Sequence, residues 1–64
     1  MTPGEKLKII LDKADWTAAD LAREAKITRM SASRMVRDMQ DLNFEVMMVL
    51  RKKLKVNINQ FFDS

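Results

Sequence analysis

The chain contains no cysteine and no histidine. No disulfide can staple it, no thiolate can hold a metal, and the imidazole that most often serves as zinc ligand or general base is missing. Its one glycine and one proline both precede residue 5, so the usual turn residues punctuate nothing beyond the first few positions. No alternating apolar pattern runs long enough for a strand, and no apolar run is long enough for a membrane span. The opening MTPGEKLKIILDKADW carries Glu5, Lys6, Lys8, Asp12 and Lys13, and so lacks the unbroken apolar segment of a signal peptide. These absences lead to the expectation of an all-α, soluble, cytoplasmic protein with no metal, no cofactor and no small-molecule ligand. An enzyme is the least supported class, because the neighbouring carboxylates read as helix caps or surface charge and 64 residues offer no pocket-sized scaffold to raise their pKa.

What is present fits one domain over residues 1–64, near the lower size limit at which a single core can offset the entropy of ordering the chain. Twelve basic against nine acidic residues give a net charge of +3, too mild to identify a partner by itself. The distribution says more. Residues 23 to 37 hold Arg23, Lys26, Arg29, Arg34 and Arg37 against only Glu24, and residues 51 to 55 hold Arg51, Lys52, Lys53 and Lys55 with no acid. Taken alone, either cluster reads equally well as a solvated helix face.

Helix starts are well marked. Thr2, Pro3 and Glu5 form a capping-box opening, followed by the stripe Leu7, Ile10, Leu11 and Ala14 at helical spacing. Thr17 with Asp20 repeats the device for a second helix over about 18 to 25, where Trp16 and Leu21 are placed as a hydrophobic staple. Thr28 caps a third helix over about 28 to 37, Asn43 a fourth, and Asn57 a short fifth. The expected core is Leu7, Ile10, Leu11, Trp16, Leu21, Ala22, Ala25, Ile27, Ala32, Met35, Phe44, Met47, Leu50, Leu54, Val56, Ile58 and Phe61.

The stretch ITRMSASRMVR, residues 27 to 37, has three arginines and no acid. At 100° per residue from Arg29, Ser33 falls at about 40°, Arg37 at 80°, Met30 at 100° and Arg34 at 140°, while Met35 lies near 240° and Ala32 near 300°. The arginines therefore share one arc, and Ala32 with Met35 forms the only core face. A B-DNA major groove about 12 Å wide admits a helix whose leading edge is slim, which gives small Ser31 and Ser33 a purpose between long flanks. Arg29 could take the O6/N7 pair of a guanine, Ser33 could reach a base edge or phosphate, and Met30 could meet a thymine methyl.

The segment WTAADLAREAKITRMSASRMV resembles the lambda-repressor-like helix-turn-helix family of the Cro/C1 or XRE type, and NFEVMMVLRKKLKVNINQFF fits that family's fourth and fifth helices. The resemblance implies a compact five-helix DNA-binding domain. Four positions where the family usually has glycine hold Asp15, Lys26, Asp38 and Lys55, the phosphate-clamping glutamine that usually opens the second helix is Ala18, and a usually small residue of the fourth helix is Arg51. By matching position, the base-reading candidates are Arg29, Met30, Ser33 and Arg34; the backbone candidates are Thr17, Thr28, Arg37 and Asn43. For Asn43 a plain helix cap is the simpler role.

Met39, Leu42 and Phe62 are hard to bury together and are the candidates for a subunit interface, since family members commonly pair to meet two half-sites about 34 Å apart. The resemblance thus implies a sequence-specific regulator of transcription, a Cro-like repressor of a phage or mobile element. It would bind a double-stranded operator as a homodimer in a bacterial or phage-infected cell. The alternative is an antirepressor-type module that keeps the fold and uses Met30, Val36, Met39 and Leu42 to mask a partner repressor.

Overall fold

The computed structural model describes residues 1–57 of the chain, which form four helices: α1 (Pro3–Lys13), α2 (Ala18–Ala25), α3 (Arg29–Val36) and α4 (Phe44–Lys53). Asn57 is the last described residue, and the expected fifth helix, with Ile58, Phe61 and Phe62, lies outside the described residues.

Each helix begins where its cap dictates. The Thr2 hydroxyl accepts from the Glu5 N–H at 3.2 Å and the Glu5 carboxylate accepts from the Thr2 N–H at 3.1 Å, a closed capping box with Pro3 where a missing N–H costs least. Thr17 and Asp20 close a second box ahead of α2. Thr28 accepts from Ser31 at 3.1 Å and Asn43 from Val46 at 2.9 Å. The first four N–H groups of a helix have no partner within it, so a side-chain acceptor at these positions selects the first turn.

The helix ends use residues that rarely serve there. Asp15, Lys26, Asp38 and Lys55 have φ of 60°, 58°, 60° and 55°, the left-handed region where glycine is normally found. The reversal lets the next amide turn back: Trp16 N–H reaches the Leu11 carbonyl at 2.8 Å, Ile27 the Ala22 carbonyl at 3.0 Å and Met39 the Arg34 carbonyl at 2.8 Å, which satisfies the last-turn acceptors. A non-glycine residue there costs on the order of 1 kcal/mol, less for aspartate than for lysine.

Leu7, Leu11, Leu21, Ala22, Ala25, Ala32, Met35, Val46 and Leu50 form the buried core, with Ile10, Trp16, Ile27, Val36, Leu42, Val49, Leu54 and Val56 packed around it. Burying a leucine-sized side chain is worth about 1.5–3 kcal/mol, and the largest fully enclosed side chains are Leu7, Leu21, Met35, Val46 and Leu50. α3 packs on α1 and α2, and α4 on α2. Phe44 corrects the expected core: it is 72% exposed, whereas Val46, not expected there, is fully buried. The cause is angular. With Asn43 as the cap, Phe44 opens the helix, and Val46 and Leu50 fall about 200° and 240° round from it, on the side turned to α2.

The N-terminus of α1 meets the C-terminus of α3 almost without a gap. A Cβ on Gly4 would lie 2.7 Å from the carbonyl oxygens of both Met35 and Val36 and 2.8 Å from the Asp38 carboxyl carbon, closer than side-chain carbons approach. Glycine is therefore required by proximity, not by backbone angle. At this junction Asp38 Oδ1 accepts the Gly4 N–H at 2.9 Å, and Oδ2 accepts the Thr2 hydroxyl.

Candidate nucleic-acid interface

α3 touches the body through a narrow edge. Ala32 and Met35 are 0% and 1% exposed, as their shared arc requires, and the small Ala32 lets α3 come close to α2. The rest of the helix faces outward. Arg29, Arg34 and Arg37 are exposed, Met30 is 60% exposed, and Ser31 and Ser33 are half-buried between them. The four base-reading candidates, Arg29, Met30, Ser33 and Arg34, thus lie on the outer surface of one helix.

Charge on this surface is uncompensated. Among the described residues the ion pairs are Lys8 with Asp12 at 3.7 Å, Arg23 with Asp20 at 2.8 Å and Lys53 with Glu24 at 3.9 Å. None involves Arg29, Arg34 or Arg37. Arg37 Nε leans on the Ser33 carbonyl at 3.4 Å, which holds its guanidinium along its own helix. α3 has no acidic residue in its first turn, while α1, α2 and α4 begin with Glu5, Asp20 and Glu45. Its N-terminal amides therefore present positive potential that no carboxylate cancels.

The backbone-contact candidates divide into two groups. Thr17 and Arg37 line one shallow depression together with the base-reading candidate Ser33 and with Lys8, its ion-pair partner Asp12, Trp16 and Val36, so residues from α1, the α2 start and α3 converge on one strip of surface. Lys8 was missed by sequence reasoning; its place on the outer side of α1 carried no signal of the neighbour it would have. Thr28 and Asn43 stand apart from this depression.

Both threonine hydroxyls are already engaged. Thr17 donates to Asp20 at 3.0 Å and Thr28 to Ser31 at 3.0 Å, so what these helix starts offer an anion is mainly backbone N–H. Asn43 spends its carbonyl oxygen on the Val46 amide and keeps its NH2 group as the donor. The Asp20 carboxyl is held below its ordinary range chiefly by the Thr17 backbone N–H, then by the Thr17 hydroxyl. It stays negatively charged beside the strip.

Of the apolar candidates, Met39 is 68% exposed. Leu42 is half-buried and lines a second depression with Gly4, Met35 and Met47. The second basic cluster lies apart, at the end of α4, where Arg51, Lys52 and Lys53 form the last turn and are exposed. No group of three or more acidic residues could hold a metal ion, and no helix is long and apolar enough to cross a membrane, among the described residues.

The model of the Cro/C1-type HTH DNA-binding domain matches residues 6–63, nearly the whole chain. The protein belongs to this family of helix-turn-helix DNA-binding domains. No curated protein matches the chain, and no solved structure does.

Proposed function

We propose that the protein is a sequence-specific regulator of transcription, a Cro-like repressor of phage or mobile-element type, which inserts α3 into the major groove of an operator. The observation that carries this reading is the arc of three exposed arginines, free of ion pairs among the described residues, around the small, half-buried Ser33. Arg29, at the first helical position, reads a guanine edge in this proposal, with Met30, Ser33 and Arg34 facing the adjoining base pairs. Thr17, Thr28 and Asn43 hold phosphates mainly through helix-start donors, and Arg37 with Lys8 supplies cationic contacts along the strip. Two copies bind two half-sites, because a single short recognition helix gives little affinity alone.

The exposed Met30 supports a second reading, an antirepressor-type module that applies this face to a partner protein. Gel-shift binding to random and selected duplexes over a salt series separates the two. A DNA-reading protein loses affinity steeply as salt rises, with a slope near the number of phosphates neutralised. Arg29→Ala then weakens the selected site by about 1–3 kcal/mol and random DNA by less. Equal losses on both would reduce Arg29 to a phosphate contact, and no binding at low salt would favour the masking module.

A further inference from the structure

α3 is eight residues long, and its two ends are held differently. The N-terminal end is fixed by the tight connection from α2 and by the Thr28 cap. α3 packs on α1 and α2, and its C-terminal end rests on the N-terminus of α1 at Gly4. There the contact is polar and specific: Asp38 turns into the left-handed region at φ 60°, and its carboxylate accepts the Gly4 N–H at 2.9 Å and the Thr2 hydroxyl. A glycine at this position would make the same backbone reversal without strain, but it has no side chain to reach α1.

We propose that Asp38 is a positioning residue for DNA reading: by clamping the end of α3 to the start of α1, it fixes the angle at which Arg34 and Arg37 face the groove. The inference rests on the DNA-reading function proposed above. The Arg34 carbonyl accepts the Met39 amide at 2.8 Å, so the chain immediately after the anchoring Asp38 is tied back to the last turn of α3, at Arg34. Arg29, at the opposite end of α3, is set by the Thr28 cap and does not depend on the clamp.

The test uses the full-length protein and its selected duplex, with every base pair of the half-site substituted in turn. Arg34→Ala and Arg29→Ala first identify which base pairs each arginine discriminates. Asp38→Ala should reduce discrimination about tenfold at the Arg34-dependent base pairs and leave the Arg29-dependent ones within about twofold. Asp38→Asn, whose one side-chain oxygen can still accept the Gly4 N–H while its NH2 group can only donate toward the Thr2 hydroxyl, should restore part of it. Amide hydrogen exchange, measured without DNA, should quicken at Met39 in Asp38→Ala while the Leu50 amide is unchanged. A uniform loss across all base pairs, or an unchanged profile with unchanged Met39 exchange, would overturn the proposal. Failure of the unmodified protein to bind any duplex would instead remove the DNA reading itself, an outcome distinguishable because the Met39 exchange is read without DNA.

Discussion

Thr17 is closed by Asp20: the Asp20 carboxylate accepts the Thr17 backbone N–H at 2.8 Å and its hydroxyl at 3.0 Å, while Thr17 accepts the Asp20 N–H at 3.2 Å. The same box that starts α2 therefore sets a negative charge beside the strip formed by Lys8, Thr17, Ser33 and Arg37. Local stability and anion binding pull in opposite directions here. Asp20→Ala should raise DNA affinity about twofold to fivefold at low salt, with less gain as salt rises. The same change should lower the melting temperature by a few degrees. Gel shifts and thermal denaturation of one preparation check both, and a loss of affinity in the folded variant would refute the trade.

The pH dependence of stability follows from the two capping boxes. Glu5 and Asp20 are both held below their ordinary ranges, chiefly by the backbone N–H groups of Thr2 and Thr17 and then by the threonine hydroxyls. A carboxyl whose folded pKa is depressed contributes stability that is present above its unfolded value, about 3.9 for Asp and 4.3 for Glu, and is lost as pH falls through the folded value. Thermal stability should therefore be level with respect to these groups near neutrality and decline below about pH 4. Glu5→Gln combined with Asp20→Asn should flatten the decline, measured by circular dichroism melts from neutral to acid pH.

The four left-handed residues are not equivalent. Lys26→Gly and Lys55→Gly should each stabilise the fold by about 0.5–1 kcal/mol, since glycine relieves the strain and no hydrogen bond of either lysine side chain is observed among the described residues. Asp38→Gly should not share that gain, because it removes the acceptor for Gly4 and Thr2. Urea denaturation of the three variants settles the contrast, and an equal gain at Asp38 would show that the clamp adds nothing to stability.

Gly4→Ala should destabilise severely, by about 2 kcal/mol or more, because the added Cβ would sit 2.7 Å from two backbone oxygens that cannot rotate away. Denaturant midpoints relative to Lys6→Ala, a change on the same helix without such a clash, give the measure.

Phe44→Ser should change stability by less than about 1 kcal/mol, since the ring is 72% exposed. Val46→Ala should cost about 1–3 kcal/mol for methyl groups removed from a closed site. The reverse ranking, in the same urea titrations, would mean that α4 is rotated about its axis.

Much of this architecture was legible beforehand because its determinants act within one helical turn. Thr2, Thr17, Thr28 and Asn43 each accept from an amide three residues on, so a cap can be read from neighbouring letters. The arginine arc was legible for the same reason, since helical periodicity alone places Arg29, Arg34 and Arg37 opposite Ala32 and Met35. Phe44 misled because hydrophobicity at a helix start does not say which way that helix will be turned, and the buried arc of α4 was chosen by its packing on α2.

The amino-acid order by itself determined where the four helices of residues 1–57 begin, where their chains reverse, and that α3 would carry cations on one side. Only the tertiary structure decided that Asp38 caps a helix whose Gly4 lies 34 residues earlier, that Lys8 joins Thr17 and Ser33 on one strip, and that Phe44 stays outside. The division has a physical cause: a hydrogen bond across three residues is constrained by the helix itself, whereas contacts between distant residues exist only once the crossing of whole helices has brought them within reach.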